Sequence, residues 1–189
     1  MTHARLVRSA VLTAGLAVAS VALAQPFTLT SSDIKPNAPI AEEHVFNSFG
    51  CSGKNVSPAL SWSGAPKGTK SFALLVHDPD APTGGAGWWH WLVVNISAST
   101  TELKKDAGKA DSATLPQGAE QITTDFGSPG WGGPCPPPGK PHRYHFTLYA
   151  LKVEKLDLPK GATASLAGFM VNANAIGKAT LTGKYGRTK

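Results

Sequence analysis

The sequence predicts a mostly β domain built from two packed sheets, with one helix near the C-terminus. The 20 glycines and 15 prolines among the 189 residues indicate many turns. Between these turns, apolar residues either alternate with polar ones or form short continuous runs, and both patterns are typical of strands. A single segment close to the end of the chain has clear helical spacing of its apolar residues.

Five segments have strand patterns. In the first, second and fourth, apolar residues occupy alternate positions, as in strands that bury one face. The third, WLVVNI, is almost entirely apolar, which indicates a strand buried on both faces. The predicted strands, in chain order, are residues 27–34, 71–78, 91–96, 143–153 and 179–187.

Residues 164–177 are predicted as an α-helix, with the hydroxyl of Thr163 or Ser165 as its N-cap. We interpret the apolar stripe of this helix as core packing. The stripe consists of Leu166, Phe169, Met170, Ala173 and Ile176. A second, shorter helix is expected near Glu120 or within residues 100–108.

The N-terminal segment MTHARLVRSAVLTAGLAVASVALAQ has the features of a secretory signal peptide. A basic start precedes an uncharged run that ends in a small-residue cleavage pattern, so we expect cleavage after Ala24. Residues 1–24 would then be the signal peptide and residues 25–189 a single domain. The uncharged run of about 14 residues is too short for a spanning helix, which needs about 20. The sequence therefore predicts a periplasmic or secreted protein without a membrane span.

The charge pattern argues against nucleic-acid binding. The 18 basic and 12 acidic residues give a formal net charge of +6, but the lysines are scattered. Nucleic-acid-binding proteins normally cluster Lys and Arg on one face. The mild positive charge is compatible with anionic ligands or an anionic membrane surface.

Two cysteines, Cys51 and Cys135, are far apart in the sequence. An even number of cysteines in an exported chain favours a disulfide. A metal-binding pair and a reactive thiol are the alternatives, and neither is supported by a C-x-x-C spacing.

Polar residues that could carry chemistry lie at predicted strand ends. Asp78 continues the core-facing row of its strand, so its carboxylate should be paired, and His90 is the nearest candidate partner in sequence. His142 and Tyr144 are two positions apart in a strand and therefore point to the same side, whereas His145 points to the other.

These residues are compatible with three kinds of site. A metal site could draw on His77, Asp78, His90 and His142, but they lack a known ligand spacing. A hydrolytic triad lacks a G-x-S-x-G motif and an evident serine nucleophile. An anion pocket fits best, because imidazoles, a tyrosine hydroxyl and the N–H groups of the Gly132–Gly133 loop are donors and the tryptophans can form an apolar wall. The same groups could also merely satisfy one another in a core.

Two long stretches of the sequence resemble a known protein family. The stretches DPDAPTGGAGWWHWLVVNI and GPCPPPGKPHRYHFTLYAL closely resemble the phosphatidylethanolamine-binding protein family, also called the Raf kinase inhibitor protein family, and most of all its exported bacterial branch. FNSFGCSGKNVSPALSWSGAPKGTKSFALLVHDPDAP, TTDFGSPGWGG and GFMVNANAIGKATLTGKYGR are similar as well. The resemblance covers nearly all of the chain after the signal peptide.

The resemblance implies a large antiparallel sheet packed on a smaller one, and a small pocket for phosphate or phosphorylated headgroups. It also supports pairing of Cys51 with Cys135, since the bacterial branch often has cysteines at these positions. Many bacterial relatives have a histidine where this chain has Asn174, and the longer C-terminal segment of eukaryotic members is not recognisable. The pocket residues implied are Asp78, Asp80, Pro82, His90, Gly133, Pro134, Pro136, Pro137, His142 and Tyr144.

The leading hypothesis is a non-enzymatic periplasmic protein that binds a small anionic or phosphorylated ligand without a metal or other cofactor. His90 and His142 would donate to the oxyanion; if an imidazolium is required, affinity should weaken above about pH 6.5, the value for free histidine. One alternative is a protein-interaction module, such as an inhibitor of a protease or another partner. Another is a weak hydrolase that uses His90 or His142 as its base. A homodimer is also open, since relatives can dimerise.

Overall fold

The computed structural model describes residues 25–111 and 113–188, so the signal peptide predicted for residues 1–24 lies outside it. Over the described residues, the chain forms two antiparallel sheets and one α-helix, which confirms the mostly β class. None of the described helices combines the length and apolar character needed to cross a bilayer.

The strands pair into a small sheet and a large one. The strands are β1 (Thr28–Thr30), β2 (Leu60–Ser63), β3 (Ser71–Asp78), β4 (Trp88–Ser97), β5 (Glu102–Leu103), β6 (Glu120–Gln121), β7 (His142–Leu151) and β8 (Ala175–Tyr185). The small sheet has the order β1-β2-β5, and the large sheet has the order β6-β4-β3-β7-β8. A 3-10 turn, Glu42–His44, lies between β1 and β2, and the helix α1 (Ala164–Asn174) precedes β8.

The expectation of a short helix near Glu120 or within residues 100–108 is wrong, because each region contains a two-residue edge strand instead. Glu120 pairs with Val94 at the edge of the large sheet, and Leu103 pairs with Leu60 in the small one. These pairings join residues distant in sequence, so a local pattern of charged residues does not reveal them. The strand β2 was also missed, whereas β3 has the predicted bounds.

The helix α1 begins where it was predicted but buries a different face. The hydroxyl of Thr163 accepts the N–H of Leu166 at 3.2 Å, as an N-cap does. The face against the sheet is made of small residues: Ala164, Ala167, Gly168 and Val171 are the buried ones. Phe169 is 69% exposed, and Leu166 and Ile176 are exposed as well, so the interpretation as core packing is wrong for these residues. Met170 does pack against the core. Small side chains allow the helix backbone to approach Leu75 closely.

The large sheet is buried on both faces over its central strands. One face packs on the small sheet and the other on α1. On the first face lie Phe72, Leu74, Val76, Trp91, Val93, Phe146 and Leu148, with Leu29, Leu60 and Trp62 from the small sheet. On the second lie Ala73, Leu75, Leu92 and Val94, with the buried residues of α1. The prediction that WLVVNI is buried on both faces is confirmed.

Asn95 links β4 to the loop before α1. It is 8% exposed, adopts a left-handed backbone (φ 58°), and accepts the N–H of Leu156 at 2.8 Å through its side chain. We expect Asn95→Ala to lower the free energy of unfolding by about 3 kcal/mol, because it adds backbone strain and leaves a buried N–H unpaired. Chemical denaturation measures this.

Asn37→Ala is the matched control for this substitution. Asn37 has the same backbone conformation (φ 58°) but is exposed. Its replacement should therefore cost only the backbone strain, about 1 kcal/mol. Equal losses in the two variants would contradict a stabilising role for the buried Asn95 side chain.

Candidate functional site

A cavity of about 230 Å³ opens at one end of the central strands of the large sheet. The end of β3 and the starts of β4 and β7 meet there, because β3 runs antiparallel to both neighbours. The cavity is lined by Phe49, Asp78, Ala81, Pro82, Thr83, Trp88, His90, Phe126, Cys135, Pro136, Pro137, His142 and Tyr144. Topology thus brings together residues from four separate stretches of the sequence.

The carboxylate of Asp78 is paired, but with His142 rather than with His90 as the sequence suggested. Asp78 is 3% exposed, and its Oδ2 accepts from His142 Nδ1 at 2.8 Å. Its Oδ1 accepts the N–H of Asp80 at 2.8 Å. The register of β3 and β7 places the start of β7 beside Asp78. The carboxylate therefore fixes the proton of His142 on Nδ1, which leaves Nε2 for a ligand.

His90 is a buried, neutral ring. Its Nδ1 lies 2.6 Å from the carbonyl oxygen of Gly132, which can only accept, so Nδ1 carries the proton. Burial lowers the pKa of His90 to about 4, against the opposing effects of this hydrogen bond and of Asp78. At pH 7 its Nε2 is therefore an acceptor. The expectation that His90 donates to an anion holds only when the ring takes up a second proton.

Tyr144 brings a buried hydroxyl without a hydrogen-bond partner to the cavity. Burial raises the pKa of Tyr144 above its usual value of 10, and the charge and proximity of the Asp78 carboxylate raise it further, so the phenol keeps its proton. The carboxylate lies near the hydroxyl, but the pair does not have the geometry of a hydrogen bond. A buried hydroxyl with no partner is costly. An acceptor supplied by a ligand would remove that cost.

Three of the residues implied by the resemblance do not line this cavity. Asp80 instead forms a bidentate ion pair with Arg143, at 2.8 and 2.6 Å, which lowers the pKa of its carboxyl well below the usual range. Gly133 donates its N–H to Asn55 Oδ1 at 2.8 Å. Pro134 accepts the N–H of Phe46 at 3.1 Å.

The loop N–H groups expected to assist the anion are already in use. Besides Gly133, the N–H of Gly132 donates to the His90 carbonyl at 2.9 Å. A Cβ at Gly133 would lie 2.1 Å from the His44 carbonyl oxygen, so only glycine fits there. These residues hold the cavity wall in place from behind.

The aromatic wall of the cavity was only partly predicted. Phe126 contacts Trp88 edge-on at 5.5 Å and Phe46 at 4.5 Å, both between ring centroids. Phe49, which is 63% exposed, lies at 6.0 Å from Phe126. The phenylalanines are isolated in Gly- and Ser-rich loops, where a periodicity argument has nothing to detect.

The two cysteines form a disulfide beside the cavity. Cys51 and Cys135 are joined, with their Cα atoms 6.0 Å apart, and Cys135 contributes to the cavity wall. Arg187 ties the same two loops, because its guanidinium donates to the carbonyls of Gly50 at 2.9 Å and Pro136 at 2.7 Å. The loop that carries Phe49 is therefore held against the proline-rich loop by a covalent bond and two hydrogen bonds.

His77 lies outside the cavity, as its place in the strand predicts. Its ring contacts Trp89 at 4.2 Å, and its Nε2 lies 3.0 Å from the carbonyl of Ala86.

Among the lining residues, the sulfur of Cys135 is in a disulfide and the hydroxyl of Thr83 donates to the Gly87 carbonyl at 3.0 Å. The sulfur of Cys135 is therefore not available as a thiolate.

Comparison with known proteins finds the same family throughout. The family model described as phosphatidylethanolamine-binding protein matches residues 30–186. YbcL of Escherichia coli K12 is 53% identical over 165 residues, which cover 87% of this chain and 90% of YbcL. The crystal structure of YbcL superposes with a TM-score of 0.83 at 52% identity, covering 86% of this chain and 99% of the other.

A mycobacterial protein is also similar. LppC of Mycobacterium tuberculosis H37Rv, which its name describes as a lipoprotein, is 38% identical over 163 residues, covering 86% of this chain and 73% of LppC. The family model and YbcL agree with this chain in sequence over most of its length, and the structure of YbcL agrees with it in fold.

Proposed function

Because the chain belongs to the phosphatidylethanolamine-binding protein family, we propose that it is a non-enzymatic protein that binds a small anionic ligand in the cavity of about 230 Å³. The ligand class is a phosphate or a phosphorylated headgroup. Asp78, His90, His142 and Tyr144 form its polar end, and Pro82 belongs to the wall.

The observation that carries this proposal is the unpartnered hydroxyl of Tyr144. A buried phenol that keeps its proton is a hydrogen-bond donor, and an oxyanion is the acceptor that suits it. A hydrogen bond to a charged group contributes about 1.5–3 kcal/mol. The Tyr144 hydroxyl therefore gains a hydrogen bond when the ligand binds, and this gain contributes to affinity.

His90 adds a requirement on the proton content of the ligand. With its Nδ1 held by Gly132, the neutral ring of His90 presents an acceptor at Nε2. A singly protonated phosphoryl group meets this arrangement, because its P–OH donates while its other oxygens accept from Tyr144. A fully deprotonated anion instead requires a protonated imidazole.

The proposal is tested by calorimetric titration of the wild-type protein with phosphoethanolamine. We expect binding, and a loss of about ten- to a hundredfold in affinity in Tyr144→Phe, which removes only the hydroxyl. Tyr149→Phe is the control, since Tyr149 lies in the same strand but outside the cavity lining. No heat with the wild type, or equal affinity in the two variants, would sink the proposal.

Export is proposed from three observations. Residues 1–24 have the pattern of a signal peptide. The similar protein LppC has a name that describes a lipoprotein, and lipoproteins are exported. The disulfide between Cys51 and Cys135 belongs in an oxidising compartment. The periplasm or the exterior is therefore the proposed location.

One observation favours the alternative of a protein-interaction module. Phe169 of α1 is 69% exposed, and Leu166 and Ile176 are 37% and 39% exposed. Exposed apolar side chains are common at interfaces. Partner binding in a pull-down that is unchanged in Tyr144→Phe and lost in Phe169→Ser would support this alternative.

A further inference from the structure

A second cluster of polar side chains lies apart from the residues that line the cavity. Asp33 follows β1, and Glu43 and His44 belong to the 3-10 turn. One ligand atom from each residue can be chosen so that all three lie within 4.8 Å of one another. A zinc ion with bonds of about 2.0–2.2 Å in tetrahedral geometry places its ligands about 3.4 Å apart, so a small movement closes the set.

His44 has the form of a metal ligand. Its ring is fully buried, and its Nδ1 lies 2.7 Å from the Val56 carbonyl, which must accept. The proton is therefore on Nδ1, and Nε2 carries a lone pair. Metal-binding histidines typically donate their other ring N–H to a carbonyl or carboxylate in this way.

The environment of His44 Nε2 lacks a donor. This atom is buried and has no hydrogen-bond partner. Its neighbour is Glu43 Oε1 at 3.6 Å, too far for a hydrogen bond and itself an acceptor. A lone pair facing a carboxylate is unfavourable unless a proton or a metal ion lies between them, and a proton would make His44 and Glu43 an ion pair.

The protein already places a cation at this cluster. Lys105 Nζ lies 2.8 Å from Asp33 Oδ1 and 3.0 Å from Glu43 Oε1. Its side chain is 43% exposed, so it can leave for water at little cost. Asp33 stays oriented without it, because Oδ2 accepts the N–H of Ala59 at 2.8 Å. Burial alone would raise the pKa of Asp33, but the hydrogen bonds from Lys105 and Ala59 lower it below its ordinary value.

We propose that Asp33, Glu43 and His44 form a binding site for a divalent transition-metal ion, and that Lys105 occupies the site when the metal is absent. Zinc suits the donor set best, because it accepts one imidazole nitrogen and two carboxylate oxygens with water as a fourth ligand. Magnesium and calcium prefer oxygen ligands alone. The site is independent of the anion cavity, whose lining contains none of these residues.

The test is calorimetric titration of the tag-free protein with zinc chloride. We expect one zinc ion to bind in the micromolar range. Glu43→Gln and His44→Gln should each weaken binding, and His44→Gln by at least about a hundredfold. Thermal unfolding without metal checks that each variant is folded, and zinc-edge X-ray absorption of the wild type should show one imidazole in an otherwise oxygen shell.

The lysine provides the sharpest comparison. Lys105→Met should bind zinc roughly tenfold more tightly than the wild type, because the competing ammonium is removed. Lys109→Met is the matched control, since Lys109 pairs with Asp106 at 2.6 Å outside the cluster. His145→Ala, outside both the cluster and the cavity lining, should leave zinc affinity unchanged.

Three results would overturn the proposal. The first is zinc binding weaker than about 1 mM in both the wild type and Lys105→Met. The second is zinc affinity that is the same in folded Glu43→Gln and His44→Gln variants as in the wild type. The third is binding of calcium or magnesium in preference to zinc, which would show that the nitrogen of His44 takes no part.

Discussion

Sulfate binding to the cavity is expected to weaken roughly tenfold for each pH unit above about 4, whereas phosphoethanolamine binding should persist to about pH 6. The physical reason is the pKa of His90, which burial lowers to about 4. Sulfate brings no proton in this range. His90 must therefore take up a proton on Nε2 before that atom can donate a hydrogen bond to the anion. A proton taken up on binding makes affinity highest below the pKa of the free protein and lower as the pH rises.

Phosphoethanolamine behaves differently because it carries the proton itself. The second pKa of a phosphate monoester is about 6, so below that pH its P–OH can donate to the neutral ring of His90. Between pH 4 and 6 the affinity for sulfate should therefore fall by about a hundredfold, whereas the affinity for phosphoethanolamine should stay nearly constant. Calorimetric titration of both anions from pH 4.5 to 8 measures this.

His90→Asn separates this mechanism from a general charge effect. The amide nitrogen can still donate to the Gly132 carbonyl in place of Nδ1. The side chain no longer titrates, so the slope for sulfate below pH 6 should disappear. His145→Ala, in the same strand as His142 but outside the cavity lining, should keep the slope. A flat sulfate profile in the wild type would contradict the assignment of His90.

Reduction of the disulfide is expected to lower the free energy of unfolding by about 4–5 kcal/mol. Cys51 and Cys135 are 84 positions apart, so the bond removes much conformational freedom from the unfolded chain. Guanidinium denaturation with and without dithiothreitol measures the difference. The Cys51→Ser/Cys135→Ser double variant should show the lowered stability and no response to the reductant.

The hydrogen bonds of Arg187 offer an alternative to the disulfide as the source of stability in this region. It ties the same loops through hydrogen bonds to Gly50 and Pro136. If reduction costs less than about 1 kcal/mol, these noncovalent contacts hold the loops and the unfolded state is little constrained by the disulfide. In that case Arg187→Ala, measured under reducing conditions, would lower the free energy of unfolding by more than reduction of the disulfide does.

The central strands could be predicted because their burial follows sequence periodicity. Phe72, Leu74 and Val76 alternate toward one face, and WLVVNI is apolar on both. The edge strands β5 and β6 could not be predicted in this way, since each has only two residues and is defined by its pairing with a distant strand. For the helix, the position along the chain was predicted but the buried face was not, because its small residues rather than its large ones face the sheet.

The candidate site was predictable in its members more than in its contacts. Strand parity places His142 and Tyr144 on one side, and both line the cavity together with Asp78 and His90. The partner of Asp78 was assigned to the wrong histidine, because sequence distance favours His90 whereas sheet register brings His142 to the carboxylate. The cluster of Asp33, Glu43 and His44 had no spacing that the sequence could identify.

The sequence by itself determined the class of fold, the family and the side chains that can supply donors, acceptors and charge, because these depend on residue type and short-range periodicity. Tertiary structure decided how those groups are used. Burial makes His90 neutral, Asp78 fixes the proton of His142, and Tyr144 keeps a hydroxyl without a partner. Each of these properties depends on solvent exclusion and on contacts between strands far apart in the chain, and local sequence carries no information about either.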